Sequence, residues 1–160
     1  MSIPMRTFMP NELNLVEKTL VNGIMAARDG RYLDALTIFE ANISRNVDMS
    51  NNPLAMSYYG LCMGIIKKKY ADGAAICLKA LKRNTQSPEA YLNISKILLL
   101  QGQKTLAVKA LKKGLSFNKT HPALCKEISR LGLRKRPVLS ALGRSNPINV
   151  LLGKVRAAIA

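Results

Sequence analysis

Three cysteines, a single histidine and many lysines and arginines are the side chains with reactive or ligating chemistry in this 160-residue sequence. Cys62, Cys77 and Cys125 stand 15 and 48 residues apart. That odd set matches neither a disulfide framework nor the close pairing of a zinc site, so the three are expected as small apolar core residues. His121 has only Cys125 as a nearby nucleophile, four residues on, with no orienting carboxylate nearer than Glu127. It reads instead as a residue at a helix start, beside Pro122. No G-x4-G-K-[ST], G-x-G-x2-G or H-E-x2-H pattern occurs. The expectation is a protein that is not an enzyme, with no catalytic residue, no metal site and no cofactor.

The positive charges are the second kind of chemistry. The chain carries 25 Lys+Arg against 9 Asp+Glu, a net of +16. Residues 1 to 49 hold five of the basic and six of the acidic residues, a net of −1, which leaves twenty against three, or +17, for residues 50 to 160. Such an asymmetry is what an anionic partner would meet. Aromatic residues make up only 5% and tryptophan is absent, which argues against a single-strand binder that stacks bases on rings. The N-terminus lacks the apolar stretch of a secretory leader, and the longest aliphatic run, Ile97 to Leu100, is far short of the roughly 18 residues of a membrane span. A cytoplasmic location is expected.

An apolar fraction of 48% permits a true core, and its periodicity says how that core is built. Leu13, Val16, Leu20, Ile24 and Ala27 form one helical stripe, and Ala35, Leu36, Phe39 and Ile43 a second, with Asp29-Gly30 between them. Tyr91, Ile94 and Leu98, then Ala107, Leu111 and Leu115, repeat the pair around Gln101-Gly102. Small residues recur in register at Gly23, Gly60 and Ser95 in the first helices and at Ala35, Gly73 and Ala107 in the second, where helices must approach closely. The second set is spaced 38 and 34 residues apart, which makes the chain a repeat of one helical hairpin.

These residues resemble the tetratricopeptide repeat (TPR) family, in the form of a small bacterial-type member. Tyr91, Ile94, Ser95, Leu98, Gly102, Ala107, Leu111 and Gly114 follow its pattern, as do Gly23, Gly30, Tyr32, Ala35 and Phe39. Thr19, Asn22 and Asn42 depart from it, and the second block has one extra residue before Tyr70. The fold implied is all-α, a right-handed α-solenoid of about three hairpins plus C-terminal capping helices. Residues 1–11 form an N-terminal segment, 12–132 the solenoid with its capping helix, and 133–160 a basic linker and C-terminal amphipathic helix. A nonrepetitive helical bundle is the competing architecture.

The resemblance also implies a function, that of a noncatalytic adaptor or scaffold holding a peptide or helix of another protein in a groove lined by the first helices. The matching positions here are Leu20, Ile24, Leu61, Leu92, Lys96, Lys126 and Arg130. They do not reproduce the family's carboxylate clamp, and they make a groove apolar at one end and basic at the other. Hydrophobic anchors followed by acidic residues would suit it. Either the N-terminal Ile3, Met5, Phe8 and Met9 or the final helix offers an alternative occupant of the groove. The rival reading is binding of RNA, DNA or an acidic membrane surface, with Arg134, Lys135, Arg136 and Arg144 as anion contacts. Val150, Leu151, Leu152 and Val155 give the final helix an apolar face, expected to dock on the last repeat or to form a homodimer.

Overall fold

The computed structural model describes residues 10–131 together with 146–148 and 150–152. Seven α-helices run through the longer stretch: α1 (Pro10–Arg28), α2 (Tyr32–Ser44), α3 (Pro53–Lys67), α4 (Tyr70–Arg83), α5 (Pro88–Leu100), α6 (Lys104–Phe117) and α7 (Pro122–Arg130). A 3-10 turn over Met49–Asn51 separates α2 from α3. No strand occurs among the described residues. Contacts divide the chain into Met1–Ile128 and Ser129–Ala160.

Local chemistry sets the helix ends. Asn52 and Ser87 cap α3 and α5, accepting from the Ala55 N–H at 3.0 Å and the Ala90 N–H at 3.3 Å. Pro53 and Pro88 follow them in the first turn, where a missing N–H costs nothing. Two hairpin turns rest on a left-handed glycine, Gly30 (φ 82°) and Gly102 (φ 73°). In the second hairpin Lys68 takes that conformation at φ 54°, so α3 runs on to Lys67 and the turn shortens to Lys68 and Lys69. The extra residue of the second block therefore lengthens a helix.

The first and second helices of each hairpin pack on one another, α1 with α2, α3 with α4 and α5 with α6. Between hairpins, α1, α3 and α5 touch in sequence, and each second helix packs chiefly on the next first helix. Small residues make the close approach within the middle hairpin. A Cβ on Gly60 would lie 2.6 Å from the Gly73 carbonyl oxygen, and a Cβ on Gly73 would meet the Gly60 carbonyl oxygen. At these crossings backbone meets backbone. The core that results holds Phe39, Leu61, Cys62, Cys77, Ile97 and Leu111, all fully buried. Leu124 of α7 is fully buried too, against Gly114 of α6, where an added Cβ would come within 2.9 Å of it.

Two departures from the repeat pattern turn out to be partners. The Thr19 hydroxyl lies 2.8 Å from the Val16 carbonyl oxygen and 2.9 Å from Asn42 Oδ1, while Asn42 Nδ2 donates to the Ile38 carbonyl at 2.8 Å. Asn42 is buried, so α1 and α2 are joined by a polar bridge whose members satisfy one another.

Candidate functional site

The packing of α1, α3 and α5 makes one wall from the three first helices, and side chains from all three converge on it. Arg28 closes α1 and Glu89 opens α5, 61 residues apart. Each sits at the helix end whose dipole favours its charge. Arg28 Nη2 donates to Glu89 Oε1 at 2.7 Å and to Oε2 at 2.9 Å, and Arg28 Nε reaches Oε2 at 3.2 Å. The Tyr58 hydroxyl, from α3, donates to Glu89 Oε2 at 2.8 Å. Glu89 is thus held by donors from both other first helices.

The electrostatics follow from this contact. The Arg28 pKa is raised, chiefly by its hydrogen bond to Glu89. Burial first, and then the hydrogen bond to Glu89, pushes the Tyr58 phenol well above its usual range. Both groups therefore keep their protons at neutral pH. Beneath this cluster Asn93 Nδ2 donates to Ser57 Oγ at 3.1 Å, and the Ser57 hydroxyl donates to the Leu54 carbonyl at 2.9 Å. Ser57 and Asn93 are buried, and Asn93 Oδ1 has no hydrogen-bond partner. On the far side, Glu40 of α2 pairs with Lys67 of α3.

The structure corrects the expected floor of the groove. Leu20 (4% exposed), Ile24 (5%), Leu61 (0%) and Leu92 (6%) lie in the interior. The first helices pack directly against each other, so these four side chains fill the seams between helices and are not free to touch a partner. Of the basic positions, Lys96 is half-buried, while Lys126 and Arg130 are exposed. Arg130 falls beyond the division after Ile128. The candidate anion contacts Arg134, Lys135, Arg136 and Arg144 lie outside the described residues, as do Ile3, Met5, Phe8 and Met9. Of the final helix, Val150 and Leu151 are exposed and Leu152 is half-buried, while Val155 lies outside the described residues.

Sequence reasoning passed over Arg28, Tyr58 and Glu89. One signal was available: Glu89 is the sole carboxylate between Asp72 and Glu127, in an otherwise basic stretch. His121 and Cys125 form no dyad. His121 Nδ1 accepts from the Leu124 N–H at 3.4 Å, which caps α7, and Cys125 Sγ donates to the Lys119 carbonyl at 3.5 Å. Burial pushes the Cys62 and Cys77 thiols up to about 12, far from a nucleophile's range. The described residues contain no His/Cys/Asp/Glu group able to hold a metal ion.

No family model matches the sequence, and no curated protein matches it. Solved structures do match its fold. The first TPR domain of Spaghetti (RPAP3), bound to the HSP90 peptide SRMEEVD, superposes with a TM-score of 0.58 at 16% identity. That match covers 72% of this chain and 91% of that one. The type III secretion translocator chaperone SycD of Yersinia enterocolitica, in an alternative dimer, gives 0.56 at 14% identity, covering 90% and 95%. A type III secretion complex from Aeromonas hydrophila gives 0.55 at 15% identity, covering 92% and 85%. The chain shares the TPR-like fold of stacked helical hairpins, and its described residues are all-α.

Proposed function

We propose that this protein is a noncatalytic adaptor that holds a peptide or helix of another protein along the wall of α1, α3 and α5. The observation that carries this reading is the Arg28–Glu89 pair, which joins α1 to α5 across the face of the first helices and is held from behind by the buried Tyr58 of α3. A segment laid across that face meets side chains already fixed in place, which lowers the ordering cost of binding. Lys126 of α7 is exposed and adds positive charge, so an acidic partner segment suits the protein. Leu20, Ile24, Leu61 and Leu92 act behind the surface by fixing the spacing of the helices. The neighbouring folds support the partner class, since one holds a peptide with two consecutive glutamates and another is a translocator chaperone.

Photocrosslinking tests this reading. A photoreactive amino acid placed at Lys96 should trap a discrete protein partner in cells, whereas the same residue placed at the exposed Thr37 of α2 should trap none. Lys126→Glu should reduce the Lys96 adduct with the helical signal unchanged. Adducts that are equal from both positions, or that vanish on nuclease treatment, would refute it.

A further inference from the structure

The opposite side of the stack, formed by the second helices, carries a groove that the inner wall does not use. It has a volume of ≈ 630 Å³ and lies between α4, the turn after it, and Tyr91 of α5. That is within the roughly 300–1,000 Å³ of ligand-binding clefts. It opens because the second helices pack chiefly on the next first helix, which leaves α4 and α6 apart. Its floor is apolar. Leu78 is 51% exposed there, beside the buried Leu81 and the half-buried Tyr91. Tyr91 is held in place by its hydroxyl, which donates to the Thr85 carbonyl at 3.1 Å, and by stacking on Phe117 of α6 at 5.8 Å.

The rim is cationic. Lys79 and Lys82 line the groove, and Lys113 sits 5.1 Å from the centre of the Phe117 ring. Among the described residues neither Lys79 nor Lys82 is in an ion pair. Asp48 feels the charge of Lys79, but its carboxylate accepts from the Ser50 N–H at 2.9 Å and the Ser50 hydroxyl at 2.8 Å. The sequence of α6 holds four lysines, Lys104, Lys109, Lys112 and Lys113, and no carboxylate.

We propose that this groove is a second docking site, which takes an acidic amphipathic segment of another protein with a large apolar residue on Leu78 and Tyr91 and carboxylates on Lys79 and Lys82. Charge complementarity selects the occupant. The chain's own C-terminal stretch carries Arg134, Lys135, Arg136, Arg144, Lys154 and Arg156 and no acid, so it is repelled by this rim. A second copy carries a net charge of +16 and is repelled as a body, although its Glu17 and Asp72 are exposed. A polyanion without apolar groups would leave Leu78 in water. Lysine, a strongly hydrated point charge, is also the weaker partner for bidentate phosphate contacts.

The test uses a fluorescein-labelled helical peptide of glutamates with leucines at i and i+4, read by anisotropy on the full chain. Binding should fall about tenfold when the peptide leucines become serine, and about tenfold with Leu78→Ser or with Lys79→Glu/Lys82→Glu in the protein. These positions are exposed, so circular dichroism should be unchanged. Lys126→Glu should leave intact the part of the binding that Leu78→Ser removes, which separates this site from the inner wall. The proposal falls if Leu78→Ser binds as the parent does, or if the serine peptide binds equally well. It also falls if an oligothymidine or a phosphatidylserine vesicle binds more tightly than the peptide with the same sensitivity to these variants.

Discussion

Gly60→Ala tests whether α3 and α4 meet backbone to backbone. A methyl group at Gly60 would sit 2.6 Å from the Gly73 carbonyl oxygen and 2.9 Å from Cys77 Sγ, where ordinary contact begins at 3.4 Å. The carbonyl oxygen is backbone and the Cys77 side chain is fully buried, so the helices must part by about 0.8 Å. A gap of about 0.5–1 Å forfeits a quarter to a half of each dispersion contact, and overpacking of this kind costs about 1–3 kcal/mol. Helix propensity acts in the other direction, favouring alanine by about 0.8–1 kcal/mol. Gly64, one turn further along α3, separates the two effects. A methyl group there would lie 3.4 Å from Ile97 Cγ1, an ordinary contact, so propensity alone remains and Gly64→Ala should be stabilising. The difference between the two variants is then the steric term. Urea unfolding followed by far-ultraviolet circular dichroism reads it directly: with a slope of about 2 kcal/mol/M, the Gly60→Ala midpoint should lie about 0.5–1.5 M below that of Gly64→Ala. Equal midpoints, or a higher one for Gly60→Ala, would mean that the helices do not approach as described.

Two further outcomes follow from burial. Leu61→Asp places a carboxylate at a fully buried position, so it should cost about 4 kcal/mol or more and abolish the helical signal along with any binding; a folded variant that merely lost its partner would return Leu61 to an open groove. Burial raises the Cys62 and Cys77 thiols to about 12, while in the unfolded chain they ionise near about 8.5. Their contribution to stability is therefore full below the unfolded value and is lost as pH rises toward 12, by about 1.4 kcal/mol per pH unit for each thiol. Urea midpoints at pH 8 and pH 10 should show this fall, and Cys62→Ala/Cys77→Ala should flatten it; an unchanged slope in that variant would assign the alkaline loss elsewhere.

The hairpin repeat was legible in the sequence because its signals are local. Apolar stripes at intervals of three and four, the turn residues Gly30 and Gly102, and small residues in register at Gly60, Gly73 and Ala107 each follow from helix geometry, which a single chain segment displays by itself. The caps Asn52 and Ser87, next to Pro53 and Pro88, became evident only at the helix ends of the structure. What the sequence could not decide was which side of each stripe reaches solvent. Leu20, Ile24, Leu61 and Leu92 occupy positions that face a groove only if the first helices stand apart. Here α1, α3 and α5 pack directly, so the same positions close the seams between them. Glu89 stood out as a lone carboxylate, but its pairing with Arg28 and Tyr58 was invisible for the complementary reason: residues 31 and 61 apart become neighbours only through stacking. The groove along α4 depends likewise on Leu78 being left uncovered, which is settled by how the second helices splay. Periodicity fixes which residues share a helix face, but the partner of that face is a property of the assembled stack.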